Sequence, residues 1–148
     1  MTLTFIILRP ITQYNWVECI NLRVSEEQER RHAVAPNVTS LAQAYGEPWW
    51  VPLGIYADDK MVGFVMYGRR PGSDINYIMR FMVDARYQGL GYGRAGLAAV
   101  IERIRQEDGG EIQLDYDPND PVAVRLYTSA GFQVIGEVED GVLAQLSG

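Results

Sequence analysis

The order of patterned segments predicts an α/β protein of the mixed α+β kind, built on one mixed sheet. Three observations carry this. Apolar runs of strand length alternate with runs of helical period, in the order β-α-α-β-β-β-α-β-α-β-β. Short polar turns join some strands directly and so make antiparallel neighbours, while helices between others make crossovers. A glycine-rich stretch, Gln88-Gly89-Leu90-Gly91-Tyr92-Gly93-Arg94, separates a strand from a long periodic helix.

Residues 4–8 are apolar and β-branched, a first strand. Thr12 caps a helix over residues 13–24, with Trp16, Cys19, Ile20 and Val24 on one face. Ser25-Glu26-Glu27-Gln28-Glu29-Arg30-Arg31-His32 is highly charged and lacks an apolar stripe, which fits a frayed helix end or a loop. A short helix over residues 39–45 carries Leu41, Ala42 and Tyr45, and Gly46 and Pro48 stop it. Residues 53–57 and 61–67 form a hairpin about Asp58-Asp59-Lys60. A polar loop then leads into a strand over residues 77–83.

After the glycines, Leu97, Val100, Ile101 and Ile104 recur at steps of three and four, the core face of a helix reaching about residue 107. Asp108-Gly109-Gly110 ends it. Residues 112–116 alternate Ile112, Leu114 and Tyr116 with Gln113 and Asp115, a strand. Asp120 before Pro121 is a helix start, an N-cap followed by proline at the first helical position. Ala123, Leu126, Tyr127 and Ala130 share a face, and Gly131 closes that helix. Strands over 132–138 and 142–146, turned at Glu139-Asp140-Gly141, complete the pattern.

Composition narrows the function classes. A chain of 148 residues, 47% apolar and 22% charged, reads as a single soluble domain over residues 1–148. No apolar run approaches the roughly 18 residues that span a bilayer, and the first residues lack a basic start and a small-residue cleavage site. One cysteine, Cys19, excludes an intrachain disulfide framework and suits a reducing cytoplasm. With a lone His32 it builds no nitrogen/sulfur metal cage, so no metal is expected. The net charge is −6 and the pI about 4.7, against nucleic acid as a partner and compatible with a cationic substrate.

The glycine loop is an anion site by its chemistry. Glycines let backbone N–H groups approach a ligand, and the first turn of a helix offers N–H groups that have no internal partner. Arg86 and Arg94 flank the loop with fixed charge. Gly91-Tyr92-Gly93-Arg94-Ala95-Gly96 is literally G-x-G-x-x-G. In the dinucleotide fingerprint, however, the first glycine directly follows the strand, whereas here Asp84 to Leu90 intervene. No Gly-Lys-Ser/Thr is present, which excludes the triphosphate-binding loop.

In another register, Gln88-x-x-Gly91-x-Gly93 resembles the Gln/Arg-x-x-Gly-x-Gly/Ala signature of the GCN5-related N-acetyltransferase (GNAT) superfamily. Asn119-Asp120-Pro121-Val122-Ala123-Val124-Arg125-Leu126-Tyr127, running on to Gly131-Phe132, resembles the family's later motif, with Asp120 where the family usually has asparagine. Arg80-Phe81-Met82-Val83-Asp84 and Val62-Gly63-Phe64-Val65-Met66-Tyr67-Gly68 look like the bacterial spermine/spermidine N-acetyltransferases. The resemblance implies a GNAT fold: a twisted, mostly antiparallel mixed sheet of about seven strands flanked by about four helices.

It also implies a function, direct transfer of acetyl from acetyl-CoA to a primary amine, with a polyamine or diamine such as spermidine or spermine as acceptor. Another small amine, an antibiotic or a protein amine are the alternatives, as is a sensor domain that binds coenzyme A without turnover. Phe81, Met82, Val83, Gln88, Gly89, Leu90, Gly91, Tyr92, Gly93, Arg94, Asn119 and Tyr127 are the implied cofactor-binding residues. Tyr127 is the implied catalytic acid for the departing thiolate; on spacing alone it belongs equally to the apolar stripe of its helix. The base is open among Asp115, Asp117, Glu26, Glu27 and Glu29. Glu27, Glu29 and Asp115 are the candidates for acceptor binding. Trp49 and Trp50 wall the acceptor channel, or close a core or a dimer contact. Family likeness further implies a homodimer, with the last two strands as an available edge.

Overall fold

The computed structural model describes residues 5–30 and 35–148; the expected strand start at Thr4 and the expected loop residues Arg31 and His32 lie outside them. The chain runs β1 (Ile6–Pro10), α1 (Trp16–Asn21), α2 (Glu26–Arg30), α3 (Asn37–Gly46), β2 (Trp50–Ala57), β3 (Lys60–Gly68) and β4 (Asn76–Val83). A 3-10 turn (Ala85–Tyr87) follows, then α4 (Tyr92–Gln106), β5 (Ile112–Tyr116), α5 (Pro121–Ser129), β6 (Gln133–Val138) and β7 (Gly141–Leu146). The seven strands form one sheet in the order β1-β2-β3-β4-β5-β7-β6. Every neighbouring pair is antiparallel except β4 and β5.

Both faces of the sheet are covered, which the sequence of β3 requires. Met61 through Gly68 are all buried, a continuous apolar run rather than an alternating one. Val62, Val65 and Tyr67 pack with Ile55, Leu97, Val100, Ile104 and Leu114 beneath α4. Met61, Phe64 and Met66 pack on the opposite face with Cys19, Leu22, Trp50 and Met82, beneath α1 and α3. Trp50 therefore closes a core, and its indole N–H donates to Glu47 at 2.9 Å.

The first helical segment differs from expectation. Thr12 opens a turn instead of capping a long helix: its hydroxyl accepts from the Tyr14 amide at 3.1 Å, and its own amide donates to the Asn15 side chain at 2.6 Å. The Asn15 amide nitrogen in turn donates to the Pro10 carbonyl and the Tyr56 hydroxyl, each at 3.0 Å. These tertiary contacts delay α1 to Trp16, and extended backbone at Leu22 ends it. The charged segment after it makes a separate helix, so the described residues hold five α-helices rather than four. Ser25 and Gln28 form a reciprocal capping box there, Gln28 N–H to Ser25 Oγ at 3.2 Å and Ser25 N–H to Gln28 Oε1 at 3.3 Å.

The pairing of β4 with β5 covers only Asn76↔Ile112 and Tyr77↔Gln113. That short ladder is pinned by the buried Asn76, whose side chain donates to the carbonyls of Gly109 (2.7 Å) and Glu111 (3.1 Å) and accepts from Arg69 Nε (3.1 Å). Beyond Tyr77 the two strands separate. A bulge in β4 accompanies this: Met66 faces Arg80 and Tyr67 faces Ile78, leaving Met79 as the extra residue. Among the described residues no helix is long and apolar enough to cross a membrane.

Candidate active site

Where β4 and β5 part, a cleft of about 770 Å³ opens between them and runs to the starts of α4 and α5. Its floor is the β4 stretch from Ile78 to Val83. Past Tyr77 the β4 edge facing β5 has no ladder partner, so its backbone polar groups there are available to a ligand.

At one end of the cleft the chain enters α4. Gly89 and Gly91 have φ of +79° and +86°, and Gly91 is a left-handed N-cap that offers no side-chain acceptor to the first turn. An added Cβ would meet no atom within 4 Å at either glycine, so conformation rather than space demands them. The amides of that first turn stay open to an anion. Gln88 is drawn back by two bonds of 2.9 Å, from its side-chain nitrogen to the Val83 carbonyl and to Gln28 Oε1.

The two expected arginines behave differently. Arg94 lines the cleft. Arg86 does not supply a free charge to the loop: its Nε donates to Asp84 at 2.8 Å. The buried Asp84 also accepts the amides of Arg23 and Arg86. Burial alone would raise the Asp84 pKa, but the Arg86 bonds and the Arg23 amide together hold it below the usual carboxylate range.

At the other end, α5 begins as the sequence requires. Asp120 caps it, accepting from the amides of Val122 (3.0 Å) and Ala123 (3.4 Å), with Pro121 at the first position. About two turns on, the half-buried Tyr127 packs its ring 5.2 Å from Tyr116 and edge-on to Phe132 at 6.1 Å. Tyr127 lines the cleft, and among the described residues nothing hydrogen-bonds its hydroxyl. Burial pushes the phenol's pKa up, and the nearby charges of Asp120 and Asp115 add to the rise.

On the α3 side of the same opening, the Tyr77 hydroxyl donates to the Asp115 carboxylate. Burial, and then this bond, push the Tyr77 pKa up, so the proton stays with the phenol. Arg80, re-aimed by the bulge, donates to the Met79 carbonyl at 2.9 Å and to Gln43 Oε1 at 3.2 Å, while its Nε is buried with no partner among the described residues. Burial lowers the Arg80 pKa against the opposing pull of Asp115.

Of the expected site residues, Phe81, Met82, Val83, Gln88, Gly89, Gly91, Gly93, Arg94, Asp115 and Tyr127 line the cleft. Asp117 lies there too, while Leu90 is 62% exposed and Tyr92 packs into the core. Asn119 is exposed, its amide donating to Asp117 at 2.8 Å. Glu26 and Glu27 sit on the exposed surface of α2, and Glu29 lines a neighbouring cavity of about 390 Å³ instead. Sequence reasoning missed Gln28, Tyr77 and Arg80. The Ser-x-x-Gln box was a readable sign of the first, and a lone arginine amid an apolar strand was one of the last. No group of metal-ligating side chains occurs among the described residues.

Known proteins share this architecture. The spermine/spermidine N(1)-acetyltransferase of Bacillus subtilis (strain 168) is 31% identical over 139 residues, which is 89% of this chain and 90% of that protein. The PaiA N-acetyltransferase from Thermoplasma acidophilum, solved in complex with coenzyme A, superposes with a TM-score of 0.70 at 15% identity, covering 97% of this chain and 99% of that one. An aminoglycoside acetyltransferase in complex with coenzyme A gives a TM-score of 0.76 at 19% identity, covering 97% and 95%. The acetyltransferase (GNAT) family matches residues 14–132, and the chain belongs to that family.

Proposed function

We propose that this GNAT acetyltransferase moves the acetyl group of acetyl-CoA to a primary amine of a polyamine or diamine. The observation that carries the reading is the parting of β4 from β5, with an uncapped helix start at one end of the cleft and Tyr127 on its wall. The polyamine acceptor is supported by the relative's name and by an acidic chain of net charge −6.

The residues present fit acetyl-CoA. Backbone amides from Gly89 into the first turn of α4 would hold the pyrophosphate, with Arg94 beside them. The free edge of β4 at Met82 and Val83 would hold the arm and the acetyl carbonyl, fixing the reacting atoms by orientation. When bound, acetyl-CoA supplies a thioester acyl group. Tyr127 keeps a proton for the departing thiolate, which its burial favours. A carboxylate of the cleft wall, Asp115 or Asp117, takes up the proton of the acceptor's ammonium. The same reading puts the enzyme in the cytoplasm as a homodimer, supported by a lone, unbridged Cys19 and by apolar Val134 and Ile135 exposed on the edge strand β6.

Coenzyme A release measured over spermine, spermidine, a diamine, a monoamine, an aminoglycoside and a peptide N-terminus tests this. The expected outcome is a kcat/KM highest for spermine or spermidine. Acetyl-CoA binding with no release on any amine would make the domain a coenzyme sensor. Preference for the aminoglycoside or the peptide would reassign the acceptor.

A further inference from the structure

Beside the cleft, on the α3 face of the sheet, Arg70 lies between two aromatic rings. Its guanidinium carbon is 5.1 Å from the centroid of the Trp50 ring and 4.8 Å from that of Tyr77. Both distances are within the range of cation–π attraction. No described residue accepts a hydrogen bond from the guanidinium, and Arg70 is carried on an exposed turn closed by the Ser73 amide on the Arg70 carbonyl at 3.0 Å.

The surroundings are those of a cation site. Glu47 Oε1 is fixed by Gln43 Nε2 at 3.0 Å and Trp50 Nε1 at 2.9 Å, and these bonds, followed by the charge of Arg70, hold the carboxyl below its usual range. On the other side, the Tyr77 hydroxyl is bonded to Asp115, which lines the cleft. Two aromatic faces and the Glu47 carboxylate thus border a cation that no hydrogen bond fastens.

We propose that this clamp is the site for the distal ammonium of the acceptor, and that Arg70 occupies it only in the free enzyme. The proposal rests on the polyamine reading. Met82 and Tyr77 are five positions apart on β4, about 16 Å at the usual rise and somewhat less across the bulge. An extended polyamine whose reacting amine lies near Met82 therefore carries a second ammonium to the clamp, and a short monoamine does not. Two cations do not share the site, so the acceptor must displace Arg70. The enzyme then selects long polycations by exchange of one cation for another.

Steady-state coenzyme A release with spermine and with butylamine, for the wild type and Arg70→Gln, tests this. Arg70→Gln is expected to lower the KM for spermine about three- to tenfold, with the KM values for butylamine and acetyl-CoA unchanged. Glu47→Gln is expected to raise the spermine KM and leave the butylamine KM alone. Because Glu47 also holds Trp50, the Arg70 variant on its exposed turn is the deciding one. An unchanged or raised spermine KM in Arg70→Gln, with wild-type turnover of spermine intact, overturns the clamp alone. A wild type that acetylates butylamine and not spermine overturns the polyamine reading, and the clamp with it.

Discussion

At the scale of residues, the acid role proposed for Tyr127 starts from a phenol that stays protonated. A phenol ordinarily titrates near 10; burial and the adjacent carboxylates push this one higher. It therefore holds its proton well above neutral pH. Tyr127→Phe removes the hydroxyl and keeps the ring against Tyr116 and Phe132. The expected result is a kcat reduced about a hundredfold with the KM for acetyl-CoA nearly unchanged, read by coenzyme A release. The two arginines of the glycine loop separate in a similar way. Arg94→Ala is expected to raise the KM for acetyl-CoA about tenfold. Arg86→Ala is expected to lower the melting temperature through Asp84 and leave that KM in place. In the sequence the two look equivalent, yet Asp84 stands two residues before Arg86 and caps the 3-10 turn, a local Asx turn that engages one arginine while the other lines the cleft.

At the scale of elements, what was readable was whatever the chain settles locally. The Asp120-Pro121 start of α5 is a contract between adjacent residues, and it forms as written. So does the left-handed Gly91 at the entrance to α4. Gly91→Ala, at a φ of +86°, is expected to cost about 1 kcal/mol and to raise the KM for acetyl-CoA with little change in kcat. Thermal melting and an acetyl-CoA titration would measure the two effects. The start of α1 was misread because Asn15 answers to Pro10 and Tyr56, and Tyr56 lies on a strand far along the chain. The link between Tyr77 and Asp115 was invisible for the same reason: it exists only once β4 and β5 lie side by side. The strands and the glycine turn could thus be read, whereas the polar network on the α3 side of the cleft could not.

At the scale of the molecule, buried phenols set an alkaline limit. Burial and the bond to Glu107 push Tyr67 up to about 12, and Tyr77 and Tyr127 are raised as well. The folded state then keeps protons that the unfolded chain releases near 10. Their contribution is complete below about pH 10 and is lost as the pH rises above it. Asp84 has the opposite sign, its pKa being lowered, so its contribution is present above about pH 4 and is lost as the pH falls. Urea midpoints measured against pH are expected to decline at both extremes, with the alkaline decline setting in near pH 10.

The short ladder at Asn76 and Tyr77 has a consequence for the coenzyme itself. The sheet is a pair of leaves hinged at one edge, four strands on one side and three on the other. A ligand lying in the gap takes up backbone groups that a strand would otherwise take, so the substrate serves as the missing rung of the sheet. On the proposed reading, catalysis and cohesion meet in one place: each turnover fills the seam and each product release leaves it open again.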